Sequence, residues 1–164
     1  MARRTEAHEW EKLRELRLQA LADTPEAFGS TLGESLARTD EEWRSRFAPR
    51  DGSVNVVEVD GDGDFVGMAS GFLADGSSDV AYLVGMFVIP ERRGEGIGRR
   101  LVDAVETWAV ELGARRLALE VNPAVSAAAQ LYERCGFQRT GMCRQLPDRP
   151  EITVVEMAKE LRAP

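Results

Sequence analysis

The spacing of apolar residues changes along the chain and predicts helices first, then strands. Between residues 6 and 22, apolar side chains recur every three or four positions, which predicts an amphipathic helix. A second helical stretch is expected over residues 31–47, where Trp43 and Phe47, four positions apart, share a buried face. Beyond residue 52 the valines between positions 54 and 59 are typical of a strand. The first third is therefore expected to be helical, and the sheet to begin near residue 54.

The remaining residues predict an alternation of strands and helices. Apolar runs at residues 65–74 and 81–89 predict two more strands, and the glycine- and aspartate-rich segment from Asp60 to Asp64 predicts a hairpin turn before them. A helix is expected over residues 97–112, a strand over 116–121 and a helix over 126–135, and strands over 137–143 and 151–157 close the chain. This order indicates a mixed α+β sheet with helices on both faces.

Composition restricts the class of protein. The chain has 164 residues, 43% hydrophobic and 30% charged, which predicts one folded domain covering residues 1–164. A formal net charge of −7 disfavours nucleic acid and anionic lipid as partners. The sequence contains no apolar signal core and no segment that could span a membrane, so a cytoplasmic location is expected.

Metal and covalent chemistry have little support in the sequence. The aspartates between Asp60 and Asp64 could suggest a calcium loop, but the twelve-residue pattern that ends in a bidentate glutamate is absent. The cysteines Cys135 and Cys143 form no spaced cluster with the single histidine, His8, so a zinc site or a catalytic triad is not expected. We therefore expect reduced thiols and no metal cofactor.

A glycine-rich loop is the strongest chemical signal. Three glycines alternate with other residues in Arg93-Gly94-Glu95-Gly96-Ile97-Gly98, between the end of a buried strand and the start of a helix. Unpaired N–H groups and the helix dipole make such a loop an anion site, and four nearby arginines predict a positive surface around it. These arginines are Arg92, Arg93, Arg99 and Arg100.

Other uses of a glycine loop fit less well. A nucleotide P-loop requires lysine and then serine or threonine after the last glycine, whereas Arg99 and Arg100 follow here. The dinucleotide fingerprint spaces its glycines two and then three apart, but here both spacings are two. A simple tight turn would not require three glycines in five residues.

Three motifs in order resemble the GNAT superfamily of N-acetyltransferases over residues 82–141. They are Met86-Phe87-Val88-Ile89-Pro90, Arg93-x-x-Gly96-x-Gly98 and Ala128-x-x-Leu131-Tyr132-x-x-x-Gly136-Phe137. The N-terminal third resembles a bacterial branch of that superfamily whose substrates are largely unassigned. The resemblance implies a twisted, mostly antiparallel central sheet of six or seven strands that splays open after Val88, with acetyl-CoA as co-substrate.

The resemblance also implies roles for individual residues. Backbone amides would bind the cofactor pyrophosphate at Arg93, Gly94, Glu95, Gly96, Ile97, Gly98 and Arg99. The strand segment Met86, Phe87 and Val88 would pair with the pantetheine arm, and the Val88 N–H would polarise the thioester carbonyl. Tyr132 would donate a proton to the departing sulfur, although helical spacing alone makes it a packing residue.

The general base and one wall of the site are less defined. Glu120, on a strand, is the candidate base, acting through water, although alternation along a strand also explains an outward-facing glutamate. The superfamily often has asparagine seven residues before the tyrosine, but this chain has Val125 there. Asn122, or Ser126 as a helix N-cap, could replace its hydrogen bond to the cofactor or backbone.

The sequence therefore predicts direct acetyl transfer to a primary amine, in a small molecule or a peptide, within a ternary complex. The glutamates Glu34, Glu41 and Glu42 are candidates to face a cationic acceptor. A homodimer is consistent with the resemblance. The alternative is a non-catalytic module that binds or senses acyl-CoA, which Val125 favours and Tyr132 disfavours.

Overall fold

A computed structural model describes residues 1–162 as a seven-stranded sheet flanked by helices. The strand order is β1-β2-β3-β4-β5-β7-β6, and only the β4–β5 pair is parallel. The predicted mixed α+β fold, with six or seven mostly antiparallel strands, is confirmed. The strands are β1 (Ala2–Arg4), β2 (Ser53–Val59), β3 (Phe65–Leu73), β4 (Val80–Val88), β5 (Arg116–Val121), β6 (Gln138–Leu146) and β7 (Arg149–Glu160).

Helices cover both faces of the sheet because β2 and β3 bury side chains on both sides. Val56 faces the core formed with α4, whereas the adjacent Val57 faces the core formed with α1 and α3. No helix within residues 1–162 is long and apolar enough to cross a lipid bilayer. The helices are α1 (Trp10–Asp23), α2 (Leu32–Leu36), α3 (Asp40–Phe47), α4 (Ile97–Glu111) and α5 (Ser126–Arg134).

The prediction of one helix over residues 31–47 is wrong, because two capping boxes divide the segment. Thr31 accepts a hydrogen bond from the Glu34 N–H at 3.2 Å and starts α2. Thr39 accepts one from the Glu42 N–H, also at 3.2 Å, and starts α3. Each threonine thus begins a new helix. The predicted pairing of Trp43 with Phe47 is confirmed, since their rings stack with centroids 5.8 Å apart.

The N-terminal strand β1 was not predicted. It has only three residues and pairs antiparallel with β2, with Ala2 opposite Glu58. The terminal ammonium group of Met1 lies 2.9 Å from the Glu58 carboxylate, and Arg3 forms an ion pair with Glu9 at 2.6 Å. A strand of three residues is too short to show an alternating pattern in the sequence. Its register is set by its pairing with β2.

The sheet separates between β4 and β5. The two strands pair only over Val80–Tyr82, opposite residues 116–118. The opening therefore begins after Tyr82 and not after Val88, as the resemblance implied. The cause is a bulge in β4, where Gly85 has a φ of +65° and the register with β3 shifts. Glycine adopts this conformation without steric strain, and the extra residue turns β4 away from β5.

Candidate active site

The opening between β4 and β5 forms a cleft of about 570 Å³, called the central cleft below. The bulged segment of β4 forms one wall, the end of β5 and the start of α5 form the other, and the loop before α2 lies over it. The residues most relevant to chemistry are Gly85, Met86, Glu120, Val125 and Tyr132. Two predicted catalytic residues and part of the predicted pantetheine strand therefore meet in one cavity.

The edge of β4 that faces this opening has free backbone donors. The Ile89 N–H donates to the Val66 carbonyl of β3 at 3.0 Å, so Ile89 points its amide into the sheet. Because N–H directions alternate along a strand, the Val88 amide points to the open side. The Val88 carbonyl on that side accepts the Arg93 Nε–H at 3.0 Å. Phe87 buries its side chain in the core against α1.

The glycine loop presents a row of unpaired amides. Within residues 1–162, the N–H groups of residues 94–99 have no protein acceptor. The prediction that the row begins at Arg93 is wrong, because the Arg93 N–H donates to the Pro90 carbonyl at 3.3 Å. Gly94 and Gly96 have φ values of +83° and +76°, which turn the chain so that the row continues into the first turn of α4. Six consecutive free donors at the positive end of a 15-residue helix fit a diphosphate.

The predicted positive surface around this loop is largely neutralised, which corrects that expectation. Arg92 pairs with Glu95 at 2.9 Å, Arg93 with Asp23 at 2.6 Å and Arg100 with Glu58 at 2.7 Å. In the described part of the chain, only Arg99 of the four has no carboxylate partner. Backbone amides, more than arginine side chains, are the anion donors of this loop.

Tyr132 is one of the residues that line the central cleft. Its side chain is 6% exposed, and its ring meets Phe137 edge to face with centroids 5.9 Å apart. The hydroxyl has no hydrogen-bond partner among residues 1–162. Burial raises the pKa of Tyr132, with a smaller contribution from nearby Cys135. The phenol therefore remains protonated near neutral pH and can donate a hydrogen bond into the cleft.

Glu120 reaches the cleft from β5 but is already paired. Both of its oxygens accept hydrogen bonds from Arg144, at 2.5 and 2.9 Å. Glu156, its register partner on β7, also lines the cleft and accepts a hydrogen bond from the Thr140 hydroxyl at 2.9 Å. The cleft thus holds two neighbouring carboxylates, of which the sequence pointed to one.

The residues around Val125 form the turn before α5. Val125 occupies the N-cap position and lines the cleft, whereas Ser126 is the first helical residue, is exposed and does not cap. The N-cap prediction for Ser126 is therefore wrong. Asn122 donates to the Glu26 carbonyl and accepts from the Ala124 N–H, both at 3.0 Å. Both of its polar groups hold the cleft wall together.

Sequence reasoning missed Arg17, which also lines the cleft. It is on α1, is 7% exposed, and its guanidinium lies 4.6 Å from the centre of the Phe28 ring. A signal was present, because Arg17 falls on the buried stripe of α1 that includes Leu13 and Ala20. A charged residue on an apolar helix face is uncommon and indicates a specific role.

Comparison with known proteins agrees with this geometry. A family model described as "Acetyltransferase (GNAT) family" matches residues 10–137. An aminoglycoside N(6')-acetyltransferase type 1 from Stenotrophomonas maltophilia is 33% identical over 106 residues, covering 61% of this chain and 69% of that protein. Its counterpart from Salmonella typhimurium is 33% identical over 64 residues, which are 39% of this chain and only 44% of that protein.

A solved structure extends the similarity to nearly the whole chain. The GCN5-related N-acetyltransferase from Kribbella flavida superposes with a TM-score of 0.79 at 25% sequence identity, covering 98% of this chain and 97% of that one. The family match includes β4, the glycine loop, α4 and the tyrosine of α5. This chain belongs to the GNAT acetyltransferase family.

Proposed function

We propose that the protein transfers an acetyl group from acetyl-CoA to a primary amine, by direct attack within a ternary complex. The observation that carries this proposal is the row of six unpaired amides over residues 94–99. This row follows β4, the strand whose open edge lines the central cleft. The relatives named as aminoglycoside N-acetyltransferases support the reaction class.

The residues of the loop and of β4 would hold the co-substrate. When bound, acetyl-CoA supplies a thioester whose carbonyl carbon accepts the amine. The amides of residues 94–99 would bind the pyrophosphate, and Arg99, the one loop arginine without a carboxylate partner within residues 1–162, would supply a positive charge at the start of α4. The open edge of β4 at Met86 and Val88 pairs with the pantetheine arm as an added strand would. The fixed Val88 N–H stabilises negative charge on the carbonyl oxygen.

Proton transfers require an acceptor and a donor in the same cleft. An aliphatic amine with a pKa of about 10.4 is mostly protonated at neutral pH, so a group must take up its proton. Glu120 takes this role in our proposal, acting through water because Arg144 occupies its oxygens. Tyr132 holds its proton on the phenol oxygen and donates it towards the leaving sulfur.

Tyr132→Phe tests the reaction directly. The substitution removes one oxygen from a side chain that makes no hydrogen bond to the described residues, so folding is expected to be unchanged. We expect kcat to fall about 100-fold or more, with CoA affinity within a factor of two of the wild type. Release of free CoA thiol across a panel of amines measures transfer, and calorimetric titration measures CoA binding.

The same measurements decide between the enzyme and a binding module. Tight CoA binding by the wild type without turnover of any amine would contradict acetyl transfer and favour a sensing role. The support for this alternative is Val125, which stands in the cleft wall where the superfamily often has asparagine. A homodimer stays a prediction, and sedimentation of the full chain would test it.

A further inference from the structure

A second cleft, of about 860 Å³, adjoins the central cleft on the side of α1 and α3. The two share Arg17, Phe72, Val84 and Gly85, so they meet at the bulge of β4. Four guanidinium groups line the second cleft, which is called the arginine cleft below. They belong to Arg17, Arg38, Arg46 and Arg50.

Arg17 stands at the junction without an anionic partner. Within residues 1–162 it forms no ion pair and no hydrogen bond, although its side chain is more than nine-tenths buried. Phe28 covers one face of its guanidinium, and a Cβ placed on Gly85 would lie 3.5 Å from its Nη1. A buried charge without a partner is strongly unfavourable, so a partner absent from the protein is expected.

The other charges of the arginine cleft reinforce this requirement. Burial lowers the pKa of Arg17 to about 10, and the positive charges of Arg46 and Arg38 contribute further. The pKa of Arg46 is lowered by partial burial and then by Arg38. The three guanidinium groups line one cleft, and their like charges therefore disfavour one another.

Two acidic residues also line the cleft and leave this surplus in place. Glu42 accepts the Thr39 N–H at 2.7 Å in the capping box of α3, and Glu41 is exposed in the first turn of the same helix. Neither forms an ion pair with a guanidinium of the cleft. Four positive and two negative side chains remain, in a protein whose net charge is −7.

The position of Arg17 separates it from the cofactor loop. Gly85 precedes Val88 by three residues, and the loop amides begin six residues beyond Val88. Arg17 and Gly85 line the same cleft as Tyr132, whose phenol is the proposed proton donor to the leaving sulfur. An anion bound by Arg17 would thus lie in the cleft where the proposed transfer takes place, away from the pyrophosphate donors.

We propose that the acceptor is a small primary amine that also bears a carboxylate, and that Arg17, assisted by Arg38 and Arg46, binds this carboxylate. This inference rests on the proposed acetyl transfer to an amine. A guanidinium pairs with a carboxylate through two parallel hydrogen bonds, which fixes the direction of the attached amine. Purely cationic amines such as polyamines would instead be repelled. Of the three glutamates expected to face a cationic acceptor, Glu41 and Glu42 line this cleft, where four arginines outnumber them, and Glu34 is not among its lining residues.

The experiment compares three amines that differ only at the carboxyl position: phenylalanine, phenylalaninamide and phenethylamine, with spermidine as a cationic reference. We expect kcat/KM to be about 10- to 100-fold higher for the amino acid than for the other two, as for a charge-assisted pair. Arg17→Met should abolish this preference without lowering the melting temperature. Arg44→Gln, an equal charge change on the exposed side of α3, should leave it unchanged.

A binding measurement keeps this inference separate from the proposed function. N-acetylphenylalanine, but not its amide, should raise the melting temperature of the full chain, and Arg17→Met should remove the increase. If no amine is turned over but this stabilisation is seen, acetyl transfer fails and the carboxylate site stands. If Arg17→Met does not fold, Arg46→Gln replaces it, with a severalfold loss of preference expected. Equal turnover with and without the carboxylate, or no carboxylate-dependent stabilisation, overturns the inference.

Discussion

Gly96 shows how one residue sets the direction of the loop donors. Its φ of +76° lies in the left-handed region, where a side chain costs about 1–2 kcal/mol. A chain that relaxes from this conformation would turn some of the amides of residues 94–99 away from a common point. The anion site therefore depends on the backbone at Gly96 more than on any arginine nearby.

Gly96→Ala is expected to weaken CoA binding about tenfold or more, because the strained residue no longer holds the amide row together. Gly98→Ala is the matched control: its Cβ would lie 2.8 Å from the Leu131 Cδ2, the mobile end of a side chain that can shift. Calorimetric titration with CoA measures both variants. Equal affinities in the two variants would contradict a special role for Gly96.

Glu120 and Glu156 offer a second comparison at this scale. Glu120→Gln is expected to lower kcat/KM about 100-fold near neutral pH, because a general base contributes this much. The loss should shrink as the pH approaches the pKa of the acceptor amine, since more of the amine is then already deprotonated. Glu156→Gln changes the neighbouring carboxylate in the same cleft and should cost less than threefold. Initial rates of CoA release from pH 6 to 10 measure both. A larger loss in Glu156→Gln would move the role of base to β7.

At the scale of elements, the helical stretch before β2 is divided by its caps. Thr39 accepts the Glu42 N–H, and Glu42 in turn accepts the Thr39 N–H at 2.7 Å. This arrangement orients α3, whose Trp43 and Phe47 pack in the core with α1. Because Arg46 lies on the same helix, the cap also positions one wall of the arginine cleft.

Thr39→Ala is expected to lower the free energy of unfolding by about 1 kcal/mol, since the first turn of α3 loses its side-chain acceptor. Thr39→Ser retains the oxygen and should recover most of that loss. Urea unfolding followed by circular dichroism measures both. If serine and alanine are equally destabilising, the methyl group of threonine, and not its hydroxyl, is what α3 requires.

The bulge in β4 links this scale to the site. Gly85 adds a residue on the β4 side, so β4 and β5 diverge and leave the open edge that the proposed pantetheine pairing requires. The same glycine lies beside the Arg17 guanidinium, since a Cβ at this position would be in van der Waals contact with Nη1, 3.5 Å away. One irregularity thus creates the central cleft and its junction with the arginine cleft.

For the molecule as a whole, ion pairs tie the N-terminal strand to the rest of the fold. The hydrogen bond from Arg3 lowers the pKa of Glu9 from 4.5 to about 2. A carboxylate whose pKa is lowered in the folded state stabilises the protein at pH values above its pKa in the unfolded state. This contribution is lost as the pH falls through the pKa of the folded state. The window here runs from about pH 4.5 down to about pH 2.

We therefore expect Glu9→Gln to destabilise the protein by up to about 1 kcal/mol at pH 7, as for a partly exposed pair. The difference from the wild type should shrink as the pH falls through this window. Thermal melts of both proteins between pH 2 and 7 measure it. A difference that stays constant down to pH 2 would show that Glu9 acts through packing and not through its charge.

The sequence by itself determined the mixed fold, most strand positions and the location of the anion loop. These features depend on local signals: the period of apolar residues, the positions of glycine and the order of three motifs. Tyr132 was predicted from the last motif, and burial in the cleft is consistent with that role. It stays a prediction until Tyr132→Phe is measured.

Only the tertiary structure decided which charges are neutralised and which are free. The arginines of the loop are paired with Asp23, Glu58 and Glu95, two of which are at least 35 residues away in sequence. In the described part of the chain, Arg17 has no anionic partner, although the sequence contains 28 acidic residues. Ion pairing depends on distances between segments that are remote in sequence, which no local pattern encodes. The loop with many arginines is therefore nearly neutral, whereas Arg17, on an apolar face of α1, has no carboxylate partner within residues 1–162.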